Sequence, residues 1–342
     1  MTALNTTAGN GPSGAPSGKA TPARVSRGKL VNWKLALGAI PVVALLVVSL
    51  FIGEFDIFND EFGREMFGIT RIPRTIALVL AGAAMAMCGL VMQLLTQNRF
   101  VEPTTTGTTE WAGLGLLVAL VMFPQSTVLE KMICAVVFSF VGTMIFFTFL
   151  RRVTLKSSLI VPIIGIMLGS VVSAVSSFFA LATDTLQQLG IWFMGSFTSV
   201  YSGQYEVLWV VLIVLVAVFF FADKITVAGL GEDVATNVGL NYNRILLIGT
   251  GLIAVATGVV TVVVGSLPFL GLIVPNIVSM FRGDDLRSNL PWVCLLGIAI
   301  VTICDIIGRL IISPFEIPVS VILGLVGAVV FVVLIVRSTR DK

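Results

Sequence analysis

Residues 71–103 read RIPRTIALVLAGAAMAMCGLVMQLLTQNRFVEP. From Ile76 to Leu95 the stretch carries no charged residue, and twenty helical residues rising 1.5 Å each span the roughly 30 Å core of a bilayer. A helix in hydrocarbon satisfies its backbone internally, which an isolated strand cannot do. Gly82 and Gly89 lie seven apart within it, a spacing that lets a neighbouring helix approach closely. The leading edge holds two arginines, Arg71 and Arg74.

The rest of the chain repeats this pattern. Of 342 residues, 57% are hydrophobic and 11% charged, with a mean hydropathy of +1.04. Soluble domains carry about 25% charged residues, so the composition is that of a polytopic membrane protein. The net charge of +3 is too small and too dispersed for nucleic-acid binding. Residues 1–33 differ: they are rich in Gly, Ser, Thr, Pro and Ala, hold no acid, and are expected to form a disordered cytoplasmic tail. The remainder, 34–342, is expected to be one transmembrane domain.

Apolar runs begin near residues 35, 75, 104, 131, 158, 206, 245, 267, 291 and 317, which predicts an all-α bundle of ten spans. The eighth is short and interrupted by Pro268 and Pro275. Ten spans put both termini on one side. With the termini inside, only five of the 21 Lys and Arg residues fall outside: Arg64, Arg71, Arg74, Lys131 and Arg309. The positive-inside bias therefore makes both termini cytoplasmic, in a multi-pass protein of a cell membrane. The acidic group Glu54, Asp56, Asp60, Glu61 and Glu65 then lies outside. In span 7, Gly258 and Gly265 repeat the seven-residue spacing, a hint of an internal repeat.

Three of the outer cations, Arg71, Arg74 and Arg309, sit at the outer ends of spans. They either anchor helix ends and pair with acids such as Glu65 and Glu316, or form a docking surface for something acidic. On the inner side, the connection 223–244 contains GEDVATNVG. Glu232 and Asp233 suit the first turn of a short helix that starts after Gly231. Val234 and Val238 share one face, and Gly239 can end the helix. This is either an ordinary loop helix or a knob for a partner's groove. Gln93, Glu110 and Asp305 are the intramembrane polar candidates; such groups are costly in hydrocarbon and are either functional or bonded across the bundle.

Histidine is absent, which removes haem ligation, His-containing zinc sites and a histidine relay. The four cysteines lie in apolar runs without metal spacing, so no metal site is expected. The chain lacks the Gly-rich G-x-x-x-x-G-K-[ST] loop and any nucleophile or zinc-protease motif, so it is not read as an enzyme or as the ATP-binding part of a machine. A proton-coupled secondary transporter using Glu110 and Asp305 is the reading from another class.

Seven stretches, in order, resemble the permease subunits of type II ABC importers for ferric siderophores and cobalamin. They are RIPR (71–74), AGAAMAMCGLVMQ (81–93), TQNRFVEP (96–103), IWFMGSF (191–197), GSLPFLGLIVPN (265–276), GDDLRSNLPW (283–292) and CDIIGRLIISPFEIPVS (304–320). The resemblance implies a ten-helix permease paired with a second permease, itself or a sister chain. Two cytoplasmic ATPase subunits using ATP and Mg, and an extracytoplasmic binding lipoprotein, complete such importers; the permease holds no cofactor. It further implies that Arg71, Arg74 and Arg309 receive acidic residues of the binding protein, and that 226–240 couples to the ATPase. Spans 5 and 10, with the loops after spans 4 and 8, would shape the pathway. Asn276 stands where many relatives have histidine, and GLVGAVVF (324–331) replaces a G-x-P-x-F stretch. Both features resemble the branch that carries ferric siderophores through paired unlike permeases, with cobalamin or haem as alternative cargo.

Overall fold

The computed structural model describes residues 33–53, 61–153, 159–283 and 285–340. The tail and the acids Glu54, Asp56 and Asp60 lie outside the described residues. Thirteen α-helices follow one another, and no strand occurs among the described residues. They are α1 (Trp33–Phe51), α2 (Glu61–Met66), α3 (Ile72–Leu95), α4 (Thr108–Met122), α5 (Val128–Leu150), α6 (Ile160–Ala182) and α7 (Leu186–Phe193). After a 3₁₀ turn at Tyr205–Trp209 come α8 (Val210–Ala228), α9 (Glu232–Asn237), α10 (Tyr242–Val263), α11 (Leu270–Arg282), α12 (Leu286–Leu310) and α13 (Val319–Arg340).

Seven of these stretches are long and apolar enough to cross a membrane, including the continuous Gly63–Leu95. Thr108–Met122, Leu270–Arg282 and Val319–Val333 are shorter apolar helices at the three remaining expected positions. Pro268 precedes α11 and Pro275 lies inside it, so the eighth apolar run is the 13-residue helix its prolines foretold.

The opening stretch forms the hub. Nearly all of α3 from Ala77 to Leu95 is buried, packed by α8, α10, α11 and α12. Its glycines set those distances. A Cβ on Gly89 would fall inside the backbone of Gly271 in α11, and one on Gly82 would press on Gly297 and Ile298 of α12. In span 7 the expected pair divides: Gly258 packs on Val136 of α5, but Gly265 lies past the end of α10 with a φ of +93°. Gly265 is thus a turn residue that needs a left-handed backbone, because the carbonyl of Trp192 leaves no room for a side chain there. The matching seven-residue spacing therefore reflects two different jobs.

Other helices start where side chains cap them. Thr127 and Glu130 close a capping box on α5, Asn241 caps α10 by accepting from Arg244 N at 3.0 Å, and Asp285 caps α12 by accepting from Ser288 N at 3.2 Å. In contrast to α3, helices α6 and α13 leave rows of large apolar side chains exposed, among them Met167, Val171 and Phe178 on α6 and Leu325, Val329 and Val332 on α13. Faces of this kind suit lipid or another helix.

Candidate functional site

Arg71, Arg74 and Arg309 converge at one end of the bundle. Phe67–Arg71 forms a single π-helical turn leading straight into α3, with Arg71 reaching the end of α1 and Arg74 the end of α12. Arg74 donates to Asp305 Oδ1 from Nη2 at 2.7 Å and from Nε at 3.2 Å. It also grips Glu316 with both terminal nitrogens, at 2.9 and 2.8 Å. Arg309 reaches the other oxygen of Asp305 at 2.6 Å. Asp305, 1% exposed, is the hub of a buried Arg–Asp–Arg cluster. The α1 C-terminus is tied in as well: Arg309 donates to the carbonyls of Ser49 and Ile52 at 2.9 Å and to the Ser49 hydroxyl, and Arg71 donates to Leu50 O at 3.4 Å. Cations belong at these last-turn carbonyls, which have no helical partner. Gly53 leaves space for the Arg71 guanidinium, since a Cβ there would sit 2.7 Å from its nitrogen.

Arg71, Arg74, Arg309 and Glu316 line a recess of about 530 Å³, with Thr198, Phe197 and Pro314 completing its wall. Glu316 is its most replaceable member. It lies in the connection between α12 and α13, keeps its side chain partly exposed, and is further held by the Thr198 hydroxyl at 2.6 Å. Burial alone would raise its carboxyl, but the hydrogen bond and charge of Arg74, with Thr198 and Arg309, hold it below the ordinary 4.5.

Elsewhere in the bundle, α8 runs on through Ala228 and α10 begins at Tyr242, so the connection between them is shorter than the stretch 223–244. Its helix α9 covers Glu232–Asn237. Gly231 caps it with φ +114°, a value that favours glycine, and Gly239 ends it with φ +83°. The N–H groups of Gly239 and Leu240 return to the carbonyls of Thr236 and Ala235 at 2.9 Å each, the bonding of a Schellman stop. Ala235 is buried against the bundle, whereas Val234 and Val238 are 43% and 67% exposed, with Leu230 beside them at 64%. A rigidly capped helix that turns three apolar side chains outward is a projecting knob.

A third region joins the TQNRFVEP and GSLPFLGLIVPN stretches, and its central residue, Glu102, was not among the expected site residues. The TQNRFVEP segment between α3 and α4 folds onto the start of α11. Glu102, fully buried, accepts at Oε1 from Phe269 N at 2.7 Å and from the Thr104 hydroxyl. It thus supplies from a distance the cap that α11 lacks in its own sequence. Burial pushes its carboxyl up to about 7 against these hydrogen bonds. Asn276 adds a second tie, donating to Arg99 O at 2.8 Å, which gives the Asn in place of histidine a physical role. Gln93 makes a third, to Gly271 O at 3.3 Å. Phe100 and Phe269 both meet Phe331 of α13, with ring centroids 6.0 and 6.2 Å apart. The segment, the half-length helix and α13 are therefore one packed junction.

The expected polar residues do not cluster. Gln93 serves that junction, Glu110 lies in the first turn of α4 beside Gly169 and accepts from the Thr109 hydroxyl at 3.1 Å, and Asp305 is at the outer recess. Asp305 is committed to two guanidinium groups, which leaves a proton relay through Glu110 and Asp305 without a path. Glu102 escaped notice because it follows one charged residue and precedes a proline in a polar run, where a solvated loop is the natural reading.

The fold and these sites define a multi-spanning transport permease. A solved structure described as an inward-facing metal-chelate type ABC transporter superposes with a TM-score of 0.77, covering 89% of this chain and 99% of that one at 24% identity. Residues 30–337 match the FecCD transport family, and the chain belongs to it. It is 61% identical to the petrobactin import system permease protein FatD of Bacillus anthracis, over 90% of this chain and 92% of that protein. It is 40% identical to the petrobactin import system permease protein YclN of Bacillus subtilis (strain 168), over 89% and 98%. The vitamin B12 import system permease protein BtuC of Escherichia coli O127:H6 stands further off, at 31% over 94% and 99%. The chain is accordingly a multi-pass bacterial membrane protein with the type II ABC importer permease fold.

Proposed function

We propose that this chain is the membrane-spanning subunit of an ATP-driven importer that carries an iron–siderophore complex of the petrobactin kind into the cytoplasm. The observation that carries the reading is the 61% identity with a petrobactin permease across nine-tenths of both chains, against 31% with a vitamin B12 permease. ATP hydrolysis belongs to two separate cytoplasmic subunits, whose grooves take the knob of Leu230, Val234 and Val238. Both termini are then cytoplasmic, and a second permease covers the apolar faces of α6 and α13 to enclose the pathway.

The outer recess receives acidic side chains of an extracytoplasmic binding protein. Arg74 is already saturated by Asp305 and Glu316, so docking is an exchange in which an incoming carboxylate takes the place of Glu316. Glu316 sits in the connection that leads into α13, so its release is felt by a helix of the pathway. Rim charges of this type govern encounter rate and orientation more than final affinity. A chelate brings its own metal ligands, so the pathway needs room and weak contacts, and the junction of Phe100, Phe269 and Phe331 offers an apolar constriction.

Radioiron uptake from a panel of chelates, in cells with and without the gene, tests the reading. Loss confined to the petrobactin class is the expected result. Unchanged iron uptake together with lost cobalamin uptake would replace the cargo.

A further inference from the structure

A second cavity lies far from the recess. It is a cleft of about 560 Å³ between α1, α11 and α12, walled by Pro41, Val42, Leu45, Ile277, Leu295 and Ala299. Its lining is apolar except for two cations, Lys34 in the first turn of α1 and Arg282 in the last turn of α11, with Trp292 also in the wall. The Arg282 guanidinium lies over the Trp292 ring, 5.2 Å from its centroid. The ring in turn rests on Gly38, where a Cβ would come within 2.9 Å of it. The neighbouring cation Arg287 is committed to Asp223 at 2.8 Å, and the Asp285 carboxylate is engaged at the cap of α12. Among the described residues neither Lys34 nor Arg282 has an ion-pair partner. The sequence just ahead of α1 adds Arg24, Arg27 and Lys29 with no acid between them.

We infer that this cleft binds an anionic phospholipid, one acyl chain lying along the α1–α12 groove and the phosphate held by Lys34 and Arg282. The combination decides the occupant. An apolar slot of this volume that opens laterally at a bundle's edge suits a hydrocarbon chain, and two cations in its wall suit a phosphate. Basic pockets between helices next to a polybasic segment are the physical signature of anionic headgroup recognition. The inference does not depend on the cargo or on the docking partner.

Quenching of tryptophan fluorescence reads the site directly. Detergent-purified protein is titrated with phosphatidylglycerol or phosphatidylcholine carrying brominated chains, and the component absent from Trp292→Phe is followed. Phosphatidylglycerol is expected to quench it at roughly tenfold lower mole fraction than phosphatidylcholine, and Lys34→Glu with Arg282→Glu to erase that preference. Ala299→Phe, which narrows the slot and leaves both charges, should also lower the quenching while the thermal unfolding midpoint stays in place. Glycerol phosphate, the headgroup without chains, should not compete. Equal quenching by the two lipids overturns the inference, because ordinary annular lipid would do the same. So does a preference that survives the double charge reversal, or full competition by glycerol phosphate, which would mark an anion site.

Discussion

The two ends of the bundle contrast in chemistry. At one end, four charged side chains satisfy one another beside the recess, with Asp305 buried between Arg74 and Arg309 and Glu316 held by Arg74. At the other end, α9 and its flanks project Leu230, Val234 and Val238 into solvent, with the exposed acids Glu232 and Asp233 between the first two. The first surface is ionic, concave and self-occupied; the second is convex and presents apolar side chains beside two acids. A contact made by the first should be fast, screened by salt and in competition with Glu316, whereas one made by the second should be less sensitive to salt and rest more on buried area.

The largest effect should fall on the inner knob. Val234→Asp with Val238→Asp places two charges where a partner's apolar groove would close, and each such anchor is worth about 2 kcal/mol. Uptake should fall by roughly a hundredfold or more, with the protein still inserted in the membrane as judged by its amount in washed membranes. Next comes Asp305→Asn, which leaves two guanidinium groups without their shared counter-charge. Removing one partner of a buried pair costs about 3–5 kcal/mol, so the thermal unfolding midpoint in detergent should drop clearly. Arg74→Ala removes a cation along with its partners' ties and should cost less.

Charge reversal at Arg71 and Arg74 should slow association with the binding protein about tenfold at low salt, and the difference should shrink above roughly 0.5 M salt. Glu316→Gln should act in the opposite sense and strengthen docking a few-fold, since it weakens the resident competitor. Weaker docking in that variant would break the exchange picture. The pH dependence follows from the same group. Its carboxyl is held below the ordinary 4.5, so the Arg74–Glu316 tie is complete above that value and is lost as pH falls below it. Docking should therefore be flat between about pH 5 and 8.

The smallest effect concerns the third region. Glu102 has the opposite shift, to about 7, so its contribution to stability is full below 4.5 and fades as pH rises through about 7. The unfolding midpoint should decline modestly between pH 5 and 8, and Glu102→Gln, which can still accept from Phe269 N, should flatten that slope.

The bundle itself was legible because hydrocarbon imposes length and polarity on every span. All ten apolar runs became apolar helices, and the short eighth was announced by Pro268 and Pro275. The α9 knob was legible for a local reason: acids in the first turn and glycines at both ends are short-range signals. The outer site was half legible. Arg71, Arg74 and Arg309 stood out as cations where the charge bias expects few, and Glu316 was foreseen as a partner, but the central place of Asp305 depends on the crossing of α3 with α12, where Arg74 meets a residue 231 positions away. Glu102, Asn276 and Phe331 were illegible as a unit for the same reason. A cap supplied from 167 residues away leaves no mark near the helix that it caps.

The central claim is that cargo movement is driven through the inner knob by ATP. Uptake of the iron chelate should be followed in cells depleted of ATP with the proton gradient preserved, and in cells with ATP but a collapsed gradient. The account predicts that transport stops in the first condition and continues in the second. Uptake that follows the gradient and ignores ATP would contradict it.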